Sequence, residues 1–211
     1  MTTLGEAWED LSRSVRACTT CPELAEARTQ VVAGVRPAGF ELRAARVLLV
    51  GEAPGAQEDA EGVPFVGRAG QLLDRLLGEA GLPRESVAVA NVLKCRPPGN
   101  RKPTRTEVRN CASWLTRQIE LIDPQVIMAL GGTAAEWFLG PSVKIGRARE
   151  ETHAYEGRTL LISYHPSAAI RFGPSGAPRA ALEADLRRLA ALVMEPTPGT
   201  SELPDHAGER A

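Results

Sequence analysis

The sequence predicts an α/β protein: a three-layer α/β/α sandwich around a central, mainly parallel, four-stranded sheet. Two observations carry that prediction. Short, nearly continuous apolar runs lie at residues 46–50, 87–92, 125–130 and 159–164, as expected for strands buried on both faces. Helical stretches alternate with them, the order that crossover connections of a parallel sheet produce. A chain of 211 residues with a hydrophobic fraction of 43% is long enough for one sizeable core, drawn here as a single domain over residues 1–194.

The elements follow in order. Leu4–Arg16 reads as a helix with Trp8, Leu11 and Val15 on one face, delivering Cys18 and Cys21 to a turn. Residues 31–45 read as irregular. After the first strand, 69–80 carries Leu72, Leu73, Leu76 and Leu77 at helical spacing. The stretch 104–122 carries Val108, Leu115, Ile119 and Ile122. A shorter helix is predicted over 133–139, and a last one over 179–194, with Leu182, Leu186, Leu189 and Val193. Residues 195–211 are polar with three prolines, and a disordered tail is expected there.

Composition narrows the function. Net charge is −1, so any nucleic-acid binding must rest on a local basic patch. Nothing resembles a signal peptide or a membrane span. A cytoplasmic protein with no membrane partner is expected; a monomer of bacterial or archaeal type is implied only by the family resemblance described below. The four cysteines are Cys18, Cys21, Cys95 and Cys111. In a reducing compartment a CxxC plus a second spaced pair suits Zn²⁺ or a [4Fe–4S] cluster. Spacing does not choose between the two metals, and plain buried cysteines are the bland alternative.

In such a sheet, ligands bind beyond the carboxyl ends of the strands, which singles out three loops. The first, GEAPGAQEDAEGVPFVGRAGQLL from Gly51, matches no phosphate-binding motif. Its glycines allow backbone to approach a ligand. Glu52 directly follows the strand, and Phe65 is a loop aromatic able to stack on a planar ring. The second begins NVLKCRPPGNRKP at Asn91. Asn91 ends a strand, where its amide must be hydrogen-bonded or must read a ligand edge. From Lys94 to Arg109 the run holds six basic residues and one acidic residue, a stiff basic loop suited to phosphate. The third, HPSAAIR from His165, ends a strand at a proline. Ala168–Ile170 reads as a small apolar tip that could enter a base stack, with Arg171 behind it on a phosphate. Capping of a helix by Ser167 is the plainer alternative.

These motifs, in this order and with these cysteines, resemble the uracil-DNA glycosylase superfamily, and specifically its family 4, over roughly residues 14–192. The resemblance implies a DNA repair enzyme that flips uracil out of single- or double-stranded DNA and hydrolyses its N-glycosidic bond. It implies a [4Fe–4S] cluster on Cys18, Cys21, Cys95 and Cys111, structural rather than catalytic. It implies that Phe65 stacks on uracil, that Asn91 reads its N3–O4 edge, and that His165 donates to O2. Gly51, Glu52 and the Ala53 backbone would line the pocket, with Glu52 positioning or activating water. Arg96, Arg101, Lys102, Arg105, Ser167 and Arg171 would contact DNA. The resemblance leaves the role of Glu58 open. Relatives often carry bulkier residues after HPS, so a smaller wedge is expected here. A related branch links covalently to the abasic site through a histidine in its basic loop. Residues 96–110 contain no histidine, so this chain should turn over. Two other readings stand beside this one: a metal-stapled nucleic-acid-binding module without catalysis, and a glycosylase with a broader range of deaminated bases.

Overall fold

In the computed structural model, which describes residues 2–40 and 46–194, five strands form one sheet. They are β1 (Val47–Gly51), β2 (Ala88–Asn91), β3 (Val126–Leu130), β4 (His153–Tyr155) and β5 (Arg158–Ser163), in spatial order β2-β1-β3-β5-β4. The first three and β5 run parallel, and β4 pairs antiparallel with β5. The expected four-stranded sheet therefore gains an edge strand. β4 has only three residues, and none is fully buried, so it leaves no periodic signal. Its hairpin turns through Glu156 and Gly157, both at positive φ, as a two-residue turn between right-twisted strands requires. The tail at 195–211 lies outside the described residues.

The nine α-helices of the described residues are α1 (Leu4–Arg16), α2 (Pro22–Ala27), α3 (Ala56–Glu61), α4 (Arg68–Glu79), α5 (Arg105–Ile122), α6 (Gly132–Leu139), α7 (Ile145–Ala148), α8 (Pro166–Phe172) and α9 (Ala177–Met194). α1 and α5 start with complete capping boxes, Thr3 with Glu6 and Thr104 with Glu107. Alternate strand residues pack on opposite faces. Leu48, Val50, Ile127 and Ala129 meet α1 and α5 through Trp8, Leu11, Leu115 and Ile119. Val47, Leu49, Val126 and Met128 meet α4 and α9 through Leu73, Leu77, Leu186 and Leu189. That double burial explains the unbroken apolar runs, each strand feeding two cores.

Four parallel strands put four carboxyl ends on one edge. The chain leaves β1 for β2 on one side and then places β3 on the other. The crevice of a doubly wound sheet opens at such a reversal, here between the loops after β1 and β3.

Candidate functional site

The floor of the site is the end of β1. Gly51 pairs in register with Asn91 of β2. A Cβ on Gly51 would stand 2.5 Å from Asn91 Oδ1 and 2.6 Å from Phe65 Cζ. Only a residue without a side chain lets the amide and the ring close over the strand end. Glu52 comes next, and its carboxylate accepts a hydrogen bond from the Thr133 hydroxyl in the first turn of α6. That bond spans the crevice between the two strand ends.

The breaker-rich loop is organised by one carboxylate. Glu58, inside α3, accepts from the backbone N–H groups of Gly55 at 3.1 Å, Val66 at 3.1 Å and Gly67 at 2.9 Å. Both ends of the loop are thus tied to one side chain. Between them Phe65 sits at φ 57°, a left-handed conformation that an aromatic residue avoids unless its surroundings hold it. Gly70 of α4 supplies part of that hold, because any Cβ there would collide with the Phe65 carbonyl. The ring is 6% exposed.

Asn91 is buried at the end of β2. Its backbone carbonyl accepts from Lys94 Nζ at 2.6 Å. Among the described residues its side-chain amide has no hydrogen-bond partner, so the amide is free to bind a ligand. His165 is the N-cap of α8. Its Nδ1 accepts from the Ser167 N–H at 3.2 Å and lies 2.8 Å from the Ser167 hydroxyl. Nδ1 is therefore the acceptor of the neutral ring, and Nε2 carries the proton. Burial pushes the imidazole down to about 4, against a smaller opposing pull from Glu58. At neutral pH the group is an uncharged N–H donor. Its ring centroid lies 5.6 Å from that of Phe65, the planes tilted by 34°.

Glu52, Ala53, Glu58, Phe65, Asn91 and His165 line one cavity of about 250 Å³, with Arg101 and Ser167 at its rim. The three loops singled out in the sequence converge there. The cavity joins an aromatic face, a free amide, a neutral imidazole donor and a carboxylate, which suits a planar heterocycle with an adjacent reacting bond.

The four cysteines line a second, smaller cavity. Cys18 follows α1, Cys21 caps α2, Cys95 follows β2 and Cys111 lies in α5. No carboxylate or imidazole lines it, so the donor set is purely thiol, which fits zinc or an iron–sulfur cluster. Arg28 Nη1 donates to Cys95 Sγ at 2.9 Å, and its Nη2 donates to the Cys18 carbonyl at 2.7 Å. Asn110 Nδ2 lies 3.5 Å from Cys21 Sγ. These are the hydrogen bonds and countercharge that a thiolate-bound centre uses. Among the described residues no group of three or more Cys, His, Asp or Glu, the four cysteines included, is drawn close enough to hold a single metal ion. Burial pushes the Cys111 thiol up to about 11 in the protein alone, opposed by Lys94.

The basic loop is less free than its composition implies. Lys94 is 1% exposed and donates to Asn91 O and to Gln118 Oε1 at 2.5 Å. It contributes nothing to a surface patch. It fastens the strand end that bears Asn91 to α5 instead. Arg101 forks onto Glu107 at 2.7 and 2.9 Å and reaches Glu23 at 3.1 Å. The Arg101 hydrogen bonds hold Glu107 down to about 2. Arg96 donates to Asn100 Oδ1 at 2.7 Å. Lys102 lies 3.3 Å from Glu136, and Lys102 and Arg105 are exposed. Arg171 is exposed on α8, outside the cavity lining. Within the expected apolar tip, Ala169 is 2% exposed and packs with Leu182 and Leu186 of α9, while Ala168 and Ile170 are half-buried. The exposed apolar residue of that helix is Phe172.

Sequence reasoning missed Thr133, Lys94 as an internal brace, and the clamp role of Glu58. The capping-type spacing of Gly55 and Glu58 was a local signal for the last. Thr133 gave none, because Glu52 is 81 residues away along the chain, and the brace of Lys94 onto α5 gave none, because Gln118 is 24 residues away.

A profile of the uracil DNA glycosylase superfamily matches residues 38–187. The chain is 44% identical over 173 residues to a type-4 uracil-DNA glycosylase of Thermotoga maritima, covering 81% of this chain and 87% of that protein. It is 39% identical over 201 residues to a type-4 uracil-DNA glycosylase of Archaeoglobus fulgidus, covering 92% and 96%. A type-5 uracil-DNA glycosylase of Thermus thermophilus is 35% identical over 190 residues, covering 75% and 86%.

Proposed function

The chain belongs to the uracil-DNA glycosylase superfamily, on its type-4 branch, and from that premise we propose that it releases uracil from DNA by hydrolysing the base–sugar bond. The products are free uracil and an abasic site. The observation that carries the proposal is the meeting of Phe65, Asn91 and His165 at one cavity.

The chemistry follows from those groups. A base inside a duplex is out of reach, so the nucleotide must leave the stack. Phe65 offers the everted ring a face to stack on. The Asn91 amide offers both a donor and an acceptor, which pairs with the N3–O4 edge of uracil and mismatches that of cytosine. Breaking C1′–N1 leaves uracil as an anion, with charge growing at O2. A neutral Nε2–H on His165 donates to that oxygen more strongly as the charge develops. One such preorganised donor contributes about 2.7–4 kcal/mol to a transition state. Glu52, fixed by Thr133, positions or activates the attacking water. No lysine lines the cavity, which supports hydrolysis without strand nicking. Arg96, Lys102, Arg105, Ser167 and Arg171 meet the DNA backbone, while Arg101 stiffens the loop through Glu107.

The thiol cavity is assigned to a [4Fe–4S] cluster on Cys18, Cys21, Cys95 and Cys111. Such a cluster supplies a structural cross-link and no step of the hydrolysis. Arg28 would offset its negative charge, and Val15, Leu24 and Trp114, which line the cavity, would shield it from water. Iron and acid-labile sulfide in anaerobically prepared protein, with zinc absent, are the expected composition; stoichiometric zinc would overturn the assignment.

The activity is tested by incubating the protein with a uracil-containing oligonucleotide, followed by alkali, with a cytosine control. Cleavage confined to the uracil strand, and only after alkali, is expected. Well-folded protein that leaves the uracil strand intact would favour a binding module instead.

A further inference from the structure

A third concavity lies beside the uracil pocket, and two of its lining residues, Arg109 and Trp137, have no role in the chemistry above. It measures about 590 Å³ and lies between α5 and α6. Arg105 and Arg109, one turn apart on α5, form one wall, and Thr133 and Trp137, one turn apart on α6, form the other. Thr133 lines this groove and donates its hydroxyl to Glu52 in the pocket. Lys102 of the groove directly follows Arg101 of the pocket rim.

The groove is cationic with an aromatic wall. Lys102, Arg105 and Arg109 are exposed. Its single carboxylate, Glu136, already faces Lys102. Arg105 and Arg109 form no ion pair among the described residues. Trp137 is half-buried and braced by Phe138 at 4.7 Å and 78° and by Tyr155 at 5.8 Å and 46°. In a chain with only 4% aromatics, three of them stiffen this one wall.

We propose that the groove holds the DNA strand next to the everted nucleotide, with a flanking base stacked on Trp137 and its phosphates on Arg105 and Arg109. This rests on the uracil-excision reading and extends it to a strand-tracking subsite. Cations that follow a backbone beside a rigid aromatic face are the general makeup of single-strand sites. An acidic peptide would use the cations but has no use for the ring.

The test has a binding arm and an activity arm. In the first, a uracil-free single-stranded oligonucleotide is titrated by fluorescence anisotropy into the parent, Trp137→Ala and the double variant Arg105→Gln/Arg109→Gln, across a salt series. Trp137→Ala should weaken binding about tenfold. The double variant should make the log–log salt slope shallower by about 1.4. Parent affinity in Trp137→Ala together with the parent slope in the double variant overturns the proposal, as does a poly-glutamate peptide that binds the parent more tightly than the oligonucleotide. If Trp137→Ala fails to fold, the slope of the double variant decides alone. In the second arm, bases flanking uracil on one side are replaced by abasic sites. Uracil release by the parent should slow about tenfold on one of the two sides, and Trp137→Ala should show no added loss there. Equal losses in both proteins sink the stacking role. Absence of any uracil release by the parent rejects the functional reading, yet leaves the binding arm decisive for the groove.

Discussion

The uracil pocket and the thiol cavity are both built from distant segments, but they are held together differently. The pocket closes on protein–protein interactions alone. Glu58 gathers three backbone N–H groups, Gly51 admits Phe65 and Asn91, and Ser167 fixes the His165 tautomer. The thiol cavity collects four sulfurs and the Arg28 guanidinium at the junction of α1, α2, α5 and the β2 exit. Burial raises the Cys95 and Cys111 thiols in the protein alone; on the cluster assignment proposed above, a bound centre would tie the four sulfurs together. A preorganised site is damaged by losing a donor and keeps its fold. A site held by what it binds is damaged by losing a ligand and takes the fold with it.

The largest effect expected from breaking this contrast is on the pocket side. Asn91→Ala and His165→Ala should each lower kcat/KM for uracil release by about 10²–10³, with Tm close to that of the parent. Single-turnover kinetics and thermal scans of the same samples check both halves. On the other side, Cys95→Ala should lower Tm by on the order of 10 °C and deplete bound iron. Folded protein with full iron content and unchanged Tm would show that Cys95 is not a ligand.

Gly51→Ala sharpens the geometry. The added methyl meets Asn91 Oδ1 and the Phe65 ring at under 3 Å, so one of them must shift. A loss of about tenfold in kcat/KM with iron content intact is expected, a 1 Å misplacement being costly in a catalytic site. A variant as fast as the parent would show that Phe65 and Asn91 are not held as a unit.

The smallest effect concerns pH. The folded His165 imidazole titrates near 4, below the 6.5 of an unfolded histidine. Between those values the unfolded chain binds the proton and the folded one does not, so stability rises with pH through that window and falls as pH drops from 6.5 towards 4. Tm of the parent should therefore fall more steeply over that range than Tm of His165→Ala. Uracil release should show no inflection near 6.5, since the donor stays neutral there; an inflection at that pH that His165→Ala removes would contradict the neutral-donor role.

Much of the fold was legible because it rests on local patterns. The apolar runs marked β1, β2, β3 and β5, and the leucine spacing marked α4 and α9. β4 escaped, having three half-exposed residues whose only cue is a turn. The site was legible as residue types at strand ends: Glu52, Asn91 and His165 each stand within two residues of one. The basic loop misled, because a count of charges cannot tell Lys94, buried against Asn91 and Gln118, from Lys102 in solvent. Within the apolar tip, which residues face out was not legible either: helical winding turned Ala169 inward, left Ala168 and Ile170 half-buried and put Phe172 outside.

The sequence by itself determined the layers, the strand ends and the chemical kinds of group placed there, since each depends on neighbours a few residues apart. Only the tertiary structure decided which of those groups are free. Arg101 is occupied by Glu107, Glu52 by Thr133 and Lys94 by Asn91 and Gln118, while the Asn91 amide stays open. A hydrogen bond forms only at about 3 Å, and separation along the chain says nothing about that distance.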